Sequence, residues 1–344
     1  MFLPRLVKGV SGDVLDRGLD RRDFLKVCSI AAAAVGLPAG AGVKMAEAAI
    51  AGKRPSVIWL SFQECTGCTE TLLRTSHPGL DALILDLISL DYHEALLVPS
   101  GHAAEENRLA AMEAHEGKFI LVVEGSIPTK DDGIYCMIGG QTALKILEES
   151  AAKAGAIIAI GSCASWGGIP SADPNPTGAK GAPEILAGKT VVSIPGCPAN
   201  PYNFLGTALQ YATFGSLPAL DDLGRPKWAY GRTIHEHCPR RAHFDAGRFV
   251  EEFGDEGHRE GYCRYKIGCG GPVTHANCAV QHFGDVPGAW PIGFGPPCVG
   301  GTEQRLAFRV GPVAYTHRRA HEAGVEIADA VCGGVEGGGG GGGG

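Results

Sequence analysis

Four cysteines follow three short apolar segments of the chain, and their type and spacing suit the binding of an iron–sulfur cluster. The segments Val57–Phe62, Ala156–Ile160 and Thr190–Ile194 each predict a buried parallel strand. The cysteines that come after them are Cys65, Cys68, Cys163 and Cys197. In a doubly wound sheet, the loops at the carboxyl ends of the strands converge on one crevice. Four thiolates would therefore meet at one point, which is how a cubane cluster is held.

Other uses of cysteine have to be weighed against this interpretation. The pair Cys65 and Cys68 alone is equally typical of a redox dithiol, half of a zinc site or, in an exported protein, a disulfide. Disulfide scaffolds are short chains without a large core, whereas this chain has 344 residues, of which 44% are hydrophobic. A thioredoxin-like dithiol needs no further cysteines after other strands. The complete set therefore favours a cluster, and a cluster favours electron transfer.

The elements that position these loops follow from the alternation of apolar strands and helical patterns between residues 55 and 215. Phe119–Val123 predicts a further buried strand, and residues 139–150 and Asn200–Phe214 predict helices. We predict an α/β fold, with a flavodoxin-like open parallel sheet followed by a smaller irregular iron–sulfur-cluster domain.

A second set of potential ligands lies beyond residue 230. It consists of one imidazole and three thiols, supplied by His235, Cys238, Cys263 and Cys269. Either His235 or His237 could supply the nitrogen ligand, and a structural Cys₃His zinc site would use the same residue types. Cys278 and Cys298 follow in a segment rich in glycine and proline. Such a segment builds little apolar core, so we expect metal clusters to hold it together.

The amino terminus predicts export. Arg21-Arg-Asp-Phe-Leu-Lys26 has the pattern of a twin-arginine signal, and the apolar stretch Val27–Val43 follows it. Ala46-Glu-Ala48 is a suitable cleavage site, although an uncleaved anchor is an alternative. This route carries folded proteins, so clusters can be inserted before export. We predict a periplasmic protein, which partners could place on the outer face of the inner membrane.

Composition sets further limits. The net charge of −7, with no basic run, argues against a nucleic-acid partner. The glycine-rich end of the chain buries too little apolar surface to fold and is expected to be poorly ordered. The predicted organisation is a signal peptide at 1–48, a flavodoxin-like domain binding a proximal cluster at 49–215, a domain binding distal and medial clusters at 216–310, and a tail at 311–344.

The chain resembles the small, electron-transferring subunit of periplasmic nickel–iron hydrogenases. The resemblance runs from Arg21 to about Val310. Besides the twin-arginine pattern, it rests on these motifs: Glu64-Cys-Thr-Gly-Cys-Thr-Glu70, Val122-Val-Glu-Gly125, Gly161-Ser-Cys-Ala-Ser-Trp-Gly-Gly168, Pro195-Gly-Cys-Pro198, His235-Glu-His-Cys238 and Gly261-Tyr-Cys-Arg-Tyr-Lys-Ile-Gly-Cys269.

The resemblance implies three clusters and assigns their ligands. A proximal [4Fe–4S] cluster would be held by Cys65, Cys68, Cys163 and Cys197. A distal [4Fe–4S] cluster would be held by His235, Cys238, Cys263 and Cys269, which selects His235 over His237. A medial [3Fe–4S] cluster would use Cys278, Cys298 and the position of Gly301, where the family has a third cysteine.

The implied activity is reversible oxidation of hydrogen to protons and electrons. The nickel–iron centre would lie in a separate large subunit, and this chain would pass the electrons to a cytochrome or another acceptor. Two further function classes stay open: an iron–sulfur subunit of a quinone-reducing complex and a hydrogen sensor. A structural zinc protein is the third alternative. The export signal and the His/Cys set disfavour the quinone-reducing complex. The export signal also disfavours the hydrogen sensor, because a sensor needs no export.

Two residues depart from the family pattern or lie outside it. Gly301 has no side chain for the medial cluster, so water, Glu303, His282 or Cys332 would have to fill the place. We favour instead a labile cluster or an error in the deduced sequence. Cys136 matches no ligand, and we expect it to be structural.

Overall fold

A computed structural model describes residues 40–50, 54–75, 88–283 and 286–304, together with Leu25, Ser29, Ala32 and Ala33. Apart from Leu25, the twin-arginine pattern lies outside the described residues, and so does the predicted tail at 311–344, including Cys332. Helix α1 (Ala41–Ile50) spans the predicted cleavage site and packs against a later helix. Cleavage therefore stays a prediction.

Five parallel strands form the central sheet. They are β1 (Ser56–Ser61), β2 (Ser89–His93), β3 (Ile120–Glu124), β6 (Ala156–Ile160) and β7 (Val191–Ile194). The order across the sheet is β2-β1-β3-β6-β7, and every neighbouring pair is parallel. Counted within the sheet alone this order is 2-1-3-4-5, the flavodoxin-like arrangement. The predicted fold class is confirmed.

The sheet is buried on both faces because successive side chains of a strand point in opposite directions. In β1, Val57 and Trp59 face one apolar cluster, while Ile58 and Leu60 face the other. Helices cover both faces. They are α2 (Gly67–Leu73), α3 (His102–Ala114), α4 (Ala143–Lys153), α5 (Gly161–Trp166), α6 (Ala182–Ile185) and α7 (Pro201–Phe214). The result is a three-layered α/β domain.

Two helices show how the local sequence sets their ends. Helix α7 begins at Pro201 because the Asn200 side chain accepts a hydrogen bond from the Tyr202 N–H (3.0 Å). Helix α4 begins later than the pattern from residue 139 predicts. Gly139 has a φ of 57° and Gly140 of 81°, left-handed values that instead form the turn of a small hairpin. Its strands are β4 (Met137–Ile138) and β5 (Gln141–Thr142).

The carboxyl-terminal segment, residues 216–304, has a different character. Its described part contains short helical turns and isolated bridges but no strand of a sheet. The α-helical turns are α8 (Lys227–Tyr230), α9 (Ile234–His237), α10 (Arg241–Asp245), α11 (Glu256–Arg259) and α12 (Pro291–Phe294). Tyr230, Trp290 and Ile292 pack into the same apolar cluster as α7. The segment is thus attached to one face of the sheet. Within the described ranges, no helix has the length and hydropathy needed to cross a membrane.

Candidate cluster sites

The three loops predicted to converge do so at the carboxyl edge of the sheet. Cys65 and Cys68 follow β1, Cys163 lies in α5 directly after β6, and Cys197 follows β7. The thiols interact electrostatically with one another. Burial is the main cause that raises the pKa of Cys163, and the nearby Cys197 and Cys65 raise it further. Burial and Glu124 raise the pKa of Cys68, and Cys163 and Cys197 add to that shift. We call these four residues the proximal set.

Two glycines leave space for the sulfur atoms of this set. A Cβ atom added to Gly161 would lie 2.6 Å from the Cys68 sulfur, and one added to Gly168 would lie 2.6 Å from the Cys163 sulfur. Both glycines also have left-handed φ values, 82° and 54°. A side chain at either position would occupy the space of a thiol, so the glycines form a cradle that suits a ligand-binding cluster.

Burial favours the protonated form of three of these thiols, Cys68, Cys163 and Cys197. Burial is the main cause that raises the pKa of Cys163, to about 11, and it also raises the pKa of Cys68 and Cys197. Thiolates would form here only when a cationic partner such as iron replaces the protons. The chemistry of the donor set therefore fits a metal cluster.

Sequence reasoning missed the residue that holds the first loop. Glu124, at the end of β3, is 2% exposed. Its carboxylate accepts hydrogen bonds from the backbone N–H groups of Cys68 (3.0 Å) and Thr69 (3.2 Å). It also accepts from the Trp59 indole (2.9 Å) and the Thr69 hydroxyl (2.5 Å). An acidic residue ending the apolar run Val122-Val-Glu-Gly125 was the available signal, because a buried carboxylate needs partners.

His93 extends this network. The Thr69 hydroxyl donates to Glu124, so at 3.0 Å from the imidazole it accepts from Nε2–H of His93. The other ring nitrogen, Nδ1, accepts from the Ala95 N–H (3.2 Å). The ring stacks on Trp59 with centroids 5.3 Å apart. Burial lowers the pKa of His93 from 6.5 to about 4, which keeps the imidazole neutral in the folded protein.

We expect the stability of the assembled protein to fall between pH 6.5 and about 4 partly because of His93. The neutral ring is favoured in the folded chain, whereas the unfolded chain protonates it below pH 6.5. The stability that the neutral His93 ring preserves is therefore complete above pH 6.5. As the pH falls through about 4, the free energy of unfolding decreases by up to about 3 kcal/mol. Thermal unfolding measured against pH should show a shallower acid decline for His93→Gln than for the unchanged chain. Parallel curves would contradict this assignment.

The second predicted set lines one cavity. His235, Cys238, Cys263 and Cys269 all contribute to its wall. His237 lies outside the lining, with its Nε2 atom 3.3 Å from the Arg232 guanidinium. Burial raises the pKa of Cys238 and Cys263, and each is raised further by the charge of Cys269. We call these four lining residues the distal set.

Aromatic rings hold the His235 imidazole. Phe244 packs edge-on against it, with centroids 4.6 Å apart. Phe244 in turn contacts Phe249 (5.6 Å) and Tyr265 (5.4 Å). Burial lowers the pKa of His235, which favours the neutral imidazole that serves as a metal ligand.

The medial residues lie between the other two sets. Cys278, Cys298 and Gly301 line a cavity of about 100 Å³ that Cys197 also borders. The Cys298 N–H donates to the Cys269 sulfur at 3.4 Å, which links this cavity to the distal set. Burial raises the pKa of Cys278 to about 12 and that of Cys298 to about 11. These residues offer two thiols, so they do not fit a cluster held by three.

The cysteines of the described residues form no disulfide, and one of them, Cys136, belongs to none of the three sets. The ten cysteines in the described part of the chain are free thiols, with no disulfide among them. In the same part, no three His, Cys, Asp or Glu side chains lie close enough together to bind a single metal ion. Cys136 packs against the apolar cluster that contains Met112 of α3 and Leu147 of α4, whereas Cys68 belongs to the cluster on the other face of the sheet. Its placement agrees with a structural role.

Two family models match adjoining parts of the chain. Residues 65–211 match the family described as the 20 kDa subunit of NADH ubiquinone oxidoreductase. Residues 230–314 match the family described as the carboxyl-terminal part of the NiFe/NiFeSe hydrogenase small subunit. The second match is to a hydrogenase family, so the alternative of an iron–sulfur subunit of a quinone-reducing complex is not favoured.

Similar proteins extend over most of the chain. The Hydrogenase-2 small chain of Escherichia coli (strain K12) is 54% identical over 86% of this chain and 79% of its own length. The periplasmic [NiFe] hydrogenase small subunit of Solidesulfovibrio fructosivorans is 47% identical over 84% of this chain and 91% of its own. The structure of the Dm. baculatum [NiFeSe]-hydrogenase superposes with a TM-score of 0.67 at 34% identity, covering 73% of this chain and 94% of that one. The chain therefore belongs to the small subunits of nickel–iron hydrogenases, the electron-transfer subunits of those enzymes.

Proposed function

We propose that this chain carries electrons through iron–sulfur clusters bound by the proximal and distal sets. The convergence of four thiols from three strand ends is the observation that supports this most strongly. The proximal residues would be Cys65, Cys68, Cys163 and Cys197, and the distal residues His235, Cys238, Cys263 and Cys269. A bound [4Fe–4S] cluster supplies one-electron redox chemistry at such a site.

The surrounding residues position and tune these ligands. Glu124 fixes the backbone of the loop that carries Cys68, and the cradle glycines admit the sulfur atoms. At the distal set, a neutral imidazole in place of a thiolate lowers the negative charge on the site. Such a site suits the end of a chain of electron carriers. We propose that electrons leave there for a cytochrome or another acceptor.

The partner would be a hydrogenase large subunit that covers the proximal edge. Cys65 and Cys197 are exposed in this chain, although they are proposed cluster ligands. Ile169, close to Cys163 in sequence, is an apolar side chain that is 61% exposed. An exposed apolar group beside exposed ligands favours a covering surface. We propose that Glu64, half-buried in the same loop as Cys65, also contacts this partner.

The export route is part of the proposal. Two relatives carry names that describe periplasmic hydrogenase subunits. We propose that the twin-arginine pattern at Arg21 exports this chain folded and already joined to its large subunit. Membrane attachment would come through the acceptor.

The test is co-purification with the large subunit, followed by measurement of iron, acid-labile sulfide and hydrogen-dependent dye reduction. The unchanged complex should contain about eight irons or more, the content of two [4Fe–4S] clusters, and reduce the dye. Ile169→Glu should weaken assembly by about 2 kcal/mol, or roughly thirtyfold in Kd, because a charge is buried at the interface.

Leu109→Glu is the matched control, because Leu109 is also exposed (51%) but lies on helix α3. It should leave the yield of the complex and its dye reduction unchanged. A complex that contains zinc instead of iron would contradict the proposed function. Equal effects of the two substitutions would contradict the proposed interface.

A further inference from the structure

Arg264 is a buried cation beside the distal set. It adjoins Cys263 in sequence, lines the same cavity as the distal set, and is 3% exposed. Its guanidinium donates hydrogen bonds to three backbone carbonyls, those of Gly295 (2.7 Å), Tyr262 (2.6 Å) and His258 (3.4 Å). These bonds fix the orientation of the side chain, but neutral carbonyl groups do not balance its positive charge.

A second guanidinium lies at the same cavity. Arg240, two residues after Cys238, is half-buried and also contributes to the cavity wall. It donates to the backbone carbonyls of Gly261 and Ile292, the latter at 3.4 Å. Burial lowers the pKa of Arg264, and the charge of Arg240 lowers it further, because the two cations repel each other. Both arginines stay charged in a protein, so together they favour an anion at this cavity.

The structure supplies no acidic side chain for this purpose. Among the residues that it describes, no carboxylate lies within 4.0 Å of either guanidinium. Asp255 acts on Arg264 only at longer range. Arg225 shows the usual arrangement, since its buried side chain pairs with Asp221 (2.8 Å) and Glu303 (2.9 Å). Arginine is almost never fully buried unless it is paired, so the partner of Arg264 must come from the cavity.

The groups that can balance the two charges are the thiols of the distal set. Burial raises the pKa of Cys238 and Cys263, and the positive charge of Arg240 opposes this rise at both thiols. Arg264 has the same effect on Cys263. Binding of iron would convert the three thiols of the set into thiolates. The site would then carry the negative charge that the arginines lack.

We propose that Arg240 and Arg264 are the counter-charges of the distal cluster and raise its reduction potential. The inference rests on the proposed function. Reduction adds one electron, which comes from hydrogen oxidation in the large subunit, and no bond forms or breaks in this chain. Nearby positive charges stabilise the added negative charge, because the effective dielectric constant inside a protein is about 20 rather than about 80. Electrons move toward the site of higher potential, so this effect favours their transfer to the distal set.

The experiment is a redox titration of the heterodimer, followed through the paramagnetic signal of the reduced distal cluster. Arg264→Gln removes the charge and keeps amide N–H groups for the surrounding carbonyls. At the potential where half of the distal clusters in the unchanged complex are reduced, the ratio of reduced to oxidised cluster should fall about tenfold. That change equals a shift of about 59 mV to lower potential. Arg264→Lys keeps the charge and should restore most of the original ratio, and the proximal signal should titrate unchanged in both variants.

Arg259→Gln is the matched control. Arg259 also donates to a backbone carbonyl, that of Gly254 (2.7 Å), but it is exposed and lies outside the cavity wall. This substitution should leave the distal titration unchanged, because solvent screens the charge. Arg240→Gln should shift the ratio in the same direction as Arg264→Gln, and it provides the measurement if Arg264→Gln does not assemble.

Two results would overturn the inference. One is an unchanged distal titration in the glutamine variants, with the cluster intact. The other is an equal shift in Arg264→Gln and Arg264→Lys, since the shape of the side chain and not its charge would then matter. Zinc in place of iron at the distal set of the unchanged complex would instead overturn the proposed function, and this inference with it.

Discussion

Cys163→Ser is expected to abolish hydrogen-dependent dye reduction by the assembled heterodimer. A serine hydroxyl stays protonated and is a harder ligand than thiolate, so the proximal site would lose one of its four proposed iron ligands. Loss of an outer partner of a metal ligand already costs about 10–100-fold in activity or affinity, and loss of a ligand should cost more. Cys197→Ser should have the same result. Activity and iron content are measured on the same anaerobic preparation.

Cys136→Ser is the control for this experiment. Cys136 is half-buried beside α3 and α4, and its backbone carbonyl accepts from the Ala143 N–H (2.9 Å). Serine preserves that backbone contact and removes only a packed sulfur. Most anaerobic activity should remain. Activity that survives Cys163→Ser, or disappears with Cys136→Ser, would mean that the proximal ligands have been assigned wrongly.

Arg225→Met is expected to destabilise the chain by about 3–5 kcal/mol, the cost of removing one partner from a buried ion pair. It would leave Asp221 and Glu303 without their shared cation, although their side chains are only 20% and 12% exposed. The unfolding temperature should fall by several degrees. Hydrogen exchange of the amides from Gly300 to Gln304 should increase most.

Arg241→Met provides the comparison. Arg241 pairs with Asp245 at 2.9 Å, the same kind of contact, but both side chains are about half exposed. Solvent screening limits such a pair to about 0–1 kcal/mol. A similar loss of stability in both variants, or exchange that increases evenly along the chain in Arg225→Met, would show that Arg225 does not hold this loop in particular.

Much of the fold could be predicted because buried parallel strands are nearly continuous apolar runs. The segments ending at Phe62, Ile160 and Ile194 were found in this way, with boundaries within one residue of the observed strands. Strand β2 was not predicted. Its residues Ser89–His93 include serine, aspartate and histidine, which find hydrogen-bond partners only in the folded chain.

The candidate site could likewise be predicted only in part. The type and spacing of the cysteines indicate iron–sulfur binding, so the proximal set and most of the distal set could be predicted from the sequence. The supporting contacts were not: Glu124 bonds a residue 56 positions away, and Arg225 pairs with Glu303 across 78 positions. Glutamate and arginine are common surface residues. Only the fold shows that these are buried and what they hold.

Strand β3 lies between β1 and β6 and contributes no cysteine, yet its last residue, Glu124, is hydrogen-bonded to the loop with Cys68. A protein engineer who grafts the proximal site onto another doubly wound scaffold could copy every cysteine and still fail. The graft would also have to carry strand β3 with the carboxylate of Glu124. It would need the Trp59 indole and the Thr69 hydroxyl as well, because both donate hydrogen bonds to the second oxygen of that carboxylate. The smallest portable unit of this site is therefore four neighbouring strands rather than four cysteines.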